Sequence, residues 1–255
     1  MNHADGVADA YKSELEYADE LISNEDYDEL LDWACGHDDF TRYPNAVVDK
    51  AIEAYRLCVE LGYPAAAYSL GAMYYRGTYL QRDYKEAFRL YKIAADGGDR
   101  WAVCALGYCY YYGRHQSPDY ERAHYYYNLG ATLYNDANCL YKLGDMRRDG
   151  KYLERNMKYA VKLYFRALNV AQQRFGECAY CLPDVQMRVG TAYLEGMEVE
   201  RDAERALKFF QEALSGFYAR RKTDPFVSGL IADAKEKIRR AEEILDGEIL
   251  QYPNE

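Results

Sequence analysis

Apolar and small residues recur along the middle of the chain with helical spacing. In four segments, SLGAMYYRG (69–77), ALGYCYYYG (105–113), KLGDMRRDG (142–150) and RVGTAYLEG (188–196), a glycine follows an aliphatic residue and a second glycine stands six residues later. The first glycines, Gly71, Gly107, Gly144 and Gly190, are separated by 36, 37 and 46 residues, and Gly77, Gly113, Gly150 and Gly196 repeat those spacings. A period of this length marks a tandem array of supersecondary units. Glycine inside a helix costs about 1 kcal/mol relative to alanine, so its recurrence predicts a neighbouring helix too close for a side chain. The second glycine of each pair is placed to end the helix.

A second helix is predicted after each glycine pair. Its alanine recurs as Ala87, Ala123, Ala160 and Ala206, with an aromatic four residues later (Tyr91, Tyr127, Tyr164, Phe210) and a small residue seven later (Ala94, Gly130, Ala167, Ala213). Offsets of 0, 4 and 7 lie on one face of a 3.6-residue helix. The same face occurs upstream as Ala51, Tyr55 and Cys58, predicting a fifth such helix over about 48–61. The first helices show a matching face, Ala67, Leu70, Gly71 and Tyr74, then Val103, Leu106, Gly107 and Tyr110. Each unit is therefore an antiparallel helical hairpin that buries its apolar face only by stacking on the next. The 46-residue spacing places an insertion near 169–183, in NVAQQRFGECAYCLP. The predicted organisation is an acidic helical N-terminal cap over 1–45, a repeat array over 46–216, and a C-terminal capping helix over 217–255. The turn-rich GHDDFTRYPN is expected to follow one or two N-terminal helices.

The pattern A-x-x-x-L-G-x-x-Y-x-x-G, a turn, then D-x-x-K/E-A-x-x-x-Y/W-x-x-A-A-x-x-G resembles the Sel1-like repeat family, a relative of the tetratricopeptide repeats. It is carried best by Ala66 through Gly77 with Asp83, Lys85, Ala87, Tyr91, Ala94, Ala95 and Gly98, and by Leu106, Gly107, Tyr110, Gly113, Asp119, Ala123 and Tyr127. The resemblance implies an all-α fold, a right-handed alpha-alpha superhelix (solenoid) of antiparallel hairpins, whose inner surface binds peptides or proteins. The third full unit departs from the pattern: Arg147 stands where Tyr74, Tyr110 and Tyr193 stand in theirs. An arginine there either opens the groove or reaches outward over apolar neighbours.

Composition narrows the function classes. The chain of 255 residues is 49% hydrophobic and 29% charged with only 6 prolines, which describes an ordered chain. No long uncharged apolar run and no signal-peptide pattern occurs, so the expected location is the cytoplasm, without a membrane role. The formal charge of -10 disfavours a general nucleic-acid binder. That charge is uneven: Ser13 to Thr41 holds eleven acids and no Lys or Arg, whereas Lys142 to Arg174 holds nine Lys or Arg against three acids. Such asymmetry can orient self-association, so a self-associating structural protein is the alternative to a binding scaffold.

Catalysis finds little support. The four histidines, His3, His37, His115 and His124, lie outside any HExxH pattern, and neither a GxSxG elbow nor a phosphate-binding GxxxxGK[ST] loop occurs. The first groups to inspect for a hydrolase or redox enzyme are His37 beside Asp38 and Cys178 with Cys181; acid pairs such as Asp38 and Asp39, or Glu195 and Glu198, are expected by chance among 42 acids. A single CxxC lacks two ligands of a tetrahedral zinc site, and most of the seven cysteines are expected as small buried hydrophobes. No catalytic, cofactor or metal residue is assigned.

Tyrosine is the compositional outlier, with 29 residues. Tyr74, Tyr110 and Tyr193 are expected in the core, but the tyrosines around them are too many for one helical seam. The expected partner-binding residues are Tyr75, Tyr108, Tyr111 and Tyr112, with Arg147 and Arg148 as carboxylate contacts and a positive stripe that includes Lys158 and Lys162. The expected partner is a peptide or a protein.

Overall fold

A computed structural model describes residues 3–37, 39 and 41–251. Within them the chain forms thirteen helices and no strand. It divides into two compact units, Met1–Ala105 and Leu106–Glu255. The first contains α1 (His3–Ser23), α2 (Tyr27–His37), α3 (Asn45–Glu60), α4 (Pro64–Arg76), α5 (Tyr84–Asp96) and the start of α6 (Arg100–Tyr112). The second contains the end of α6, α7 (Tyr120–Leu133), α8 (Ala137–Asp149), α9 (Met157–Gln173), the single turn α10 (Phe175–Cys178), α11 (Leu182–Glu195), α12 (Ala203–Arg220) and α13 (Val227–Gln251).

The glycine pairs do what their spacing predicts. A Cβ placed on Gly107 would lie 2.4 Å from the Tyr127 ring, one on Gly144 would lie 2.5 Å from Tyr164, and one on Gly190 would lie 2.7 Å from Phe210. At Gly71 the distance to Tyr91 is 3.0 Å. The recurring aromatic of each second helix thus lies flat on the first helix where a side chain is missing. Tyr91, Tyr127, Tyr164 and Phe210 are all buried. The second glycines take the left-handed conformation that only glycine adopts without strain, with φ of 65° at Gly77 and 66° at Gly150.

Each second helix starts in the same way. The side chains of Asp83, Asp119, Asn156 and Asp202 accept hydrogen bonds from first-turn N–H groups of α5, α7, α9 and α12. Such a cap contributes about 1 kcal/mol. The backbone N–H of each capping residue in turn donates to a carbonyl of the preceding helix: Tyr74 at 3.1 Å, Tyr110 at 2.9 Å, Arg147 at 2.8 Å and Tyr193 at 3.1 Å. The backbone at the position held by Tyr, Tyr, Arg and Tyr is therefore anchored in the same way whichever side chain it carries.

In the first unit α4 packs on α5 and on α3, and the core gathers Val47, Ala51, Tyr55, Leu70 and Leu90. In the second, α8 packs on α9 and α7, and α11 on α12 and α9. Met187, Leu194, Phe210 and Phe217 form a core that Val227, Ala234 and Ala241 of α13 cover. Full burial of one such large side chain contributes about 1.5–3 kcal/mol.

The structure refines the sequence reading at several points. Gly36 and His37 belong to α2, not to a turn, and α3 begins at Asn45, ahead of the apolar face that announced it. Of the three tyrosines expected in the core, Tyr110 is buried, while Tyr74 and Tyr193 are half-buried on its edge. The insertion extends α9 and adds the single turn α10 before α11. Arg147 reaches outward and sets its guanidinium 5.3 Å from the centre of the Tyr159 ring.

Candidate functional site

The second unit collects buried charge in one place. In the four glycine segments, Ser69, Ala105, Lys142 and Arg188 stand at the same repeat position, and Ala72, Tyr108, Asp145 and Thr191 stand three residues further on. These offsets share a face of the first helix. Lys142, Asp145, Arg188 and Tyr108 meet there across α6, α8 and α11.

Lys142 is 4% exposed, which is rare for a lysine without a close carboxylate. Its Nζ lies 4.7 Å from the centre of the Tyr108 ring, 5.6 Å from Tyr111, 4.9 Å from Tyr112 and 5.3 Å from Tyr141. It donates to the Tyr112 hydroxyl at 2.6 Å, and its nearest acid, Asp145, is 3.9 Å away. Contacts of this kind contribute about 0.5–2 kcal/mol each and here offset the desolvation of the ammonium. The rings hold one another too: Tyr108 stacks on Tyr112 with centroids 5.8 Å apart, and the Tyr108 and Tyr141 hydroxyls are hydrogen-bonded.

Asp145 joins this cluster to the next repeat. It accepts from Arg188 Nη2 at 2.7 Å and Nε at 3.0 Å, and from the Tyr164 hydroxyl at 3.0 Å. Burial alone would raise its carboxyl; the Arg188 guanidinium, with Lys142 and Arg148 behind it, outweighs burial and holds it below the usual carboxylate range. Arg188 also lies over the Tyr141 ring at 4.6 Å and donates to the Asp184 carbonyl at 2.8 Å. Beyond it, Arg220 donates to Asp184 Oδ2 at 2.8 Å, pairs with Asp224 at 3.6 Å and covers the Tyr180 ring at 4.5 Å. Cations, acids and tyrosines thus alternate from α6 to the end of α12.

The expected site residues are only partly brought together. Tyr108, Tyr111 and Tyr112 surround Lys142, but their exposure differs. Tyr112 is 44% exposed, whereas Tyr111 is half-buried, its ring set against Tyr120 and Tyr127. Adjacent helical residues point about 100° apart, so the two cannot share one role. Tyr75 belongs to the first unit, where its ring meets Tyr84 and Tyr91. Arg148 is held by Asp149 at 2.7 Å and lies 3.4 Å from Asp145, so its carboxylate contacts are already internal. Lys158 and Lys162 are exposed on α9, apart from the ring cluster. Lys142, Asp145, Tyr141 and Arg188 were not singled out as site residues, although a charged residue at a repeat position otherwise small or polar is a readable signal.

His37 and Glu195 are held in structural contacts. His37 bonds to the Trp33 carbonyl at 2.7 Å, lies 3.3 Å from Glu14 and stacks on the Trp33 ring; its neighbour Asp38 lies outside the described residues. Glu195 pairs with Arg240 at 2.8 Å. Burial pushes the Cys58 thiol up to about 11 and that of Cys109 up to about 12.

Fold and site together define an all-α helical-repeat protein whose architectural positions are constant and whose first-helix faces carry the individual chemistry. The Sel1 repeat model matches residues 64–99, 102–135, 137–169 and 183–216, more than half of the chain, and the chain belongs to the Sel1 repeat family. Solved structures agree on the fold. A Sel1 repeat protein from Oxalobacter formigenes is 22% identical over 66% of this chain and 65% of its own, with a TM-score of 0.52. A protective antigen of uropathogenic Escherichia coli strains that displays an SLR fold is 22% identical over 80% of this chain and 42% of its own, with a TM-score of 0.53. The chain therefore spans less than two thirds of either protein. No curated protein matches it.

Proposed function

We propose that the chain is a non-catalytic protein–protein interaction scaffold that binds a peptide or protein segment over the tyrosine-rich face of its second unit. Sel1-repeat proteins generally mediate protein–protein interactions, and the proposal assigns that role to the face around Lys142 and Tyr112. The observation that carries it is the buried lysine ringed by four tyrosines, one of which, Tyr112, is 44% exposed. The fold does not need it, since Ser69 and Ala105 fill the same repeat position in other units. A ring whose hydroxyl is fixed by an ammonium and whose face is stacked is pre-organised for contact, which lowers the cost of ordering it on binding. Lys158 and Lys162, exposed on α9 apart from the ring cluster, add positive charge to the second unit.

The titration of the buried groups supports a non-catalytic reading. Burial pushes the hydroxyls of Tyr111, Tyr141 and Tyr164 up, so they stay protonated, and Asp145 stays ionised against Arg188. None is poised near neutrality to exchange a proton. Capture of partners from the source cell tests the proposal: Tyr112→Ala loses a partner retained by wild type and by Tyr218→Ala, which alters a comparably exposed tyrosine on α12. Equal capture by all three chains overturns the placement.

A further inference from the structure

The insertion between α9 and α11 holds a chemistry that partner binding does not use. Cys178 ends α10 and Cys181 stands immediately before α11. The Cys181 N–H donates to the Cys178 carbonyl at 3.0 Å. That turn keeps the two Cα atoms inside the span a disulfide bridges, about 4.4–6.8 Å. The side chains face each other and are hydrogen-bonded. Both are buried, at 6% and 2% exposure, yet the segment around them is open: Phe175 and Tyr180 are exposed, as are Gly176 and Ala179. The hydrogen bond from Cys178, then burial, then the charges of Asp136 and Asp184 push the Cys181 thiol up. A thiolate is therefore unwelcome here, whereas a disulfide carries no charge.

We propose that Cys178 and Cys181 are a redox modification site, a reversible dithiol–disulfide pair oxidised by a low-molecular-weight disulfide of the glutathione type. One cysteine, on losing its proton, attacks the small disulfide and expels one small thiolate, leaving a mixed disulfide. The second loses its proton, attacks the sulfur of the first and expels the other small thiolate. Two electrons pass to the oxidant, and the two protons leave with the two small thiols. The raised thiol makes the exchange slow, and the hydrogen bond between the thiols is given up when the disulfide forms. The new bond ties α10 to the base of α11, next to Tyr180 and Asp184, whose carbonyl and carboxylate hold Arg220. It captures a turn that already exists, so helicity is preserved.

The folded full-length chain, equilibrated at graded ratios of oxidised to reduced glutathione, alkylated and cleaved with trypsin, tests this. Both cysteines fall in one tryptic peptide, Phe175–Arg188. The expected result is loss of both alkyl groups and a mass lower by two hydrogens as the ratio rises, reversed by reduced glutathione, with an unchanged circular dichroism spectrum. Cys181→Ser is expected to leave Cys178 as a thiol or a glutathione adduct, with no internal bond. Double alkylation at every ratio in the folded chain overturns the proposal. So does a bond that forms only in urea, or pairing of either cysteine with one of the other five.

Discussion

Gly107 shows how narrowly a single position is determined. A methyl group there meets the Tyr127 ring at 2.4 Å, so Gly107→Ala has to displace a fully buried aromatic. Overpacking of this kind costs about 1–3 kcal/mol. Urea denaturation is expected to show that loss for Gly107→Ala, and a change within about 0.5 kcal/mol for Gly176→Ala, where a Cβ meets nothing within 4 Å. Asp145 is determined by charge. Asp145→Asn leaves the part-buried Arg188 without its counter-charge and is expected to cost up to about 3 kcal/mol. The folded-state pKa of Asp145 is lowered. Its pairing therefore contributes stability that is complete above the ordinary carboxylate pKa of about 3.9 and is lost as pH falls through the lowered value. Urea midpoints measured over acid pH are expected to lack that component in the variant. Lys142→Met separates fold from function: Asp145 keeps its closer partner Arg188, so an apolar side chain of similar length in the ring cluster is expected to cost no more than about 1–2 kcal/mol of stability, while partner capture weakens. A large loss of stability instead would make Lys142 a structural residue.

The helices themselves were legible because each is specified several times over. Ala160, Tyr164 and Ala167 mark the buried face of α9, Asn156 caps its start, and Gly144 of the preceding helix receives its aromatic. Periodicity, capping and close approach agree on the helix. The caps are separately testable. Asp119→Ala removes the side-chain acceptor for the Arg122 N–H and is expected to cost about 1 kcal/mol in thermal denaturation, whereas Asp119→Asn keeps the cap and most of the stability. The site was much less legible. Periodicity pointed to Tyr108, Tyr111 and Tyr112 as a group, but could not tell that Tyr111 turns onto Tyr127 while Tyr112 remains exposed. Lys142 read as the first residue of a basic stretch. Its burial depends on rings from the preceding repeat, and the partner of Asp145 comes from the following one. Contacts between repeats have no signature inside any single repeat. The available signal was subtraction: once Leu, Gly and Ala are recognised as architecture, charged residues at the intervening first-helix positions stand out.

On the scale of the chain, the two units spend their charge differently. The net charge of -10 is concentrated in the first 41 residues, while Lys158 and Lys162 on α9 have no ion-pair partner among the described residues. Exposed unpaired cations attract by long-range forces that salt screens within about 10 Å at 0.1 M. Reversing both, Lys158→Glu with Lys162→Glu, is expected to slow partner association and flatten its salt dependence without changing stability, which biosensor kinetics at two ionic strengths would read. The central claim, that partners sit on the face around Tyr112, is tested most directly by replacing single residues with a photo-crosslinking amino acid. Tyr112 and the 60% exposed Tyr125 of α7 are the positions to compare in source-cell extract. The account predicts a discrete crosslinked partner from position 112 and none from 125; equal crosslinking from both, or crosslinking from 125 alone, would contradict it.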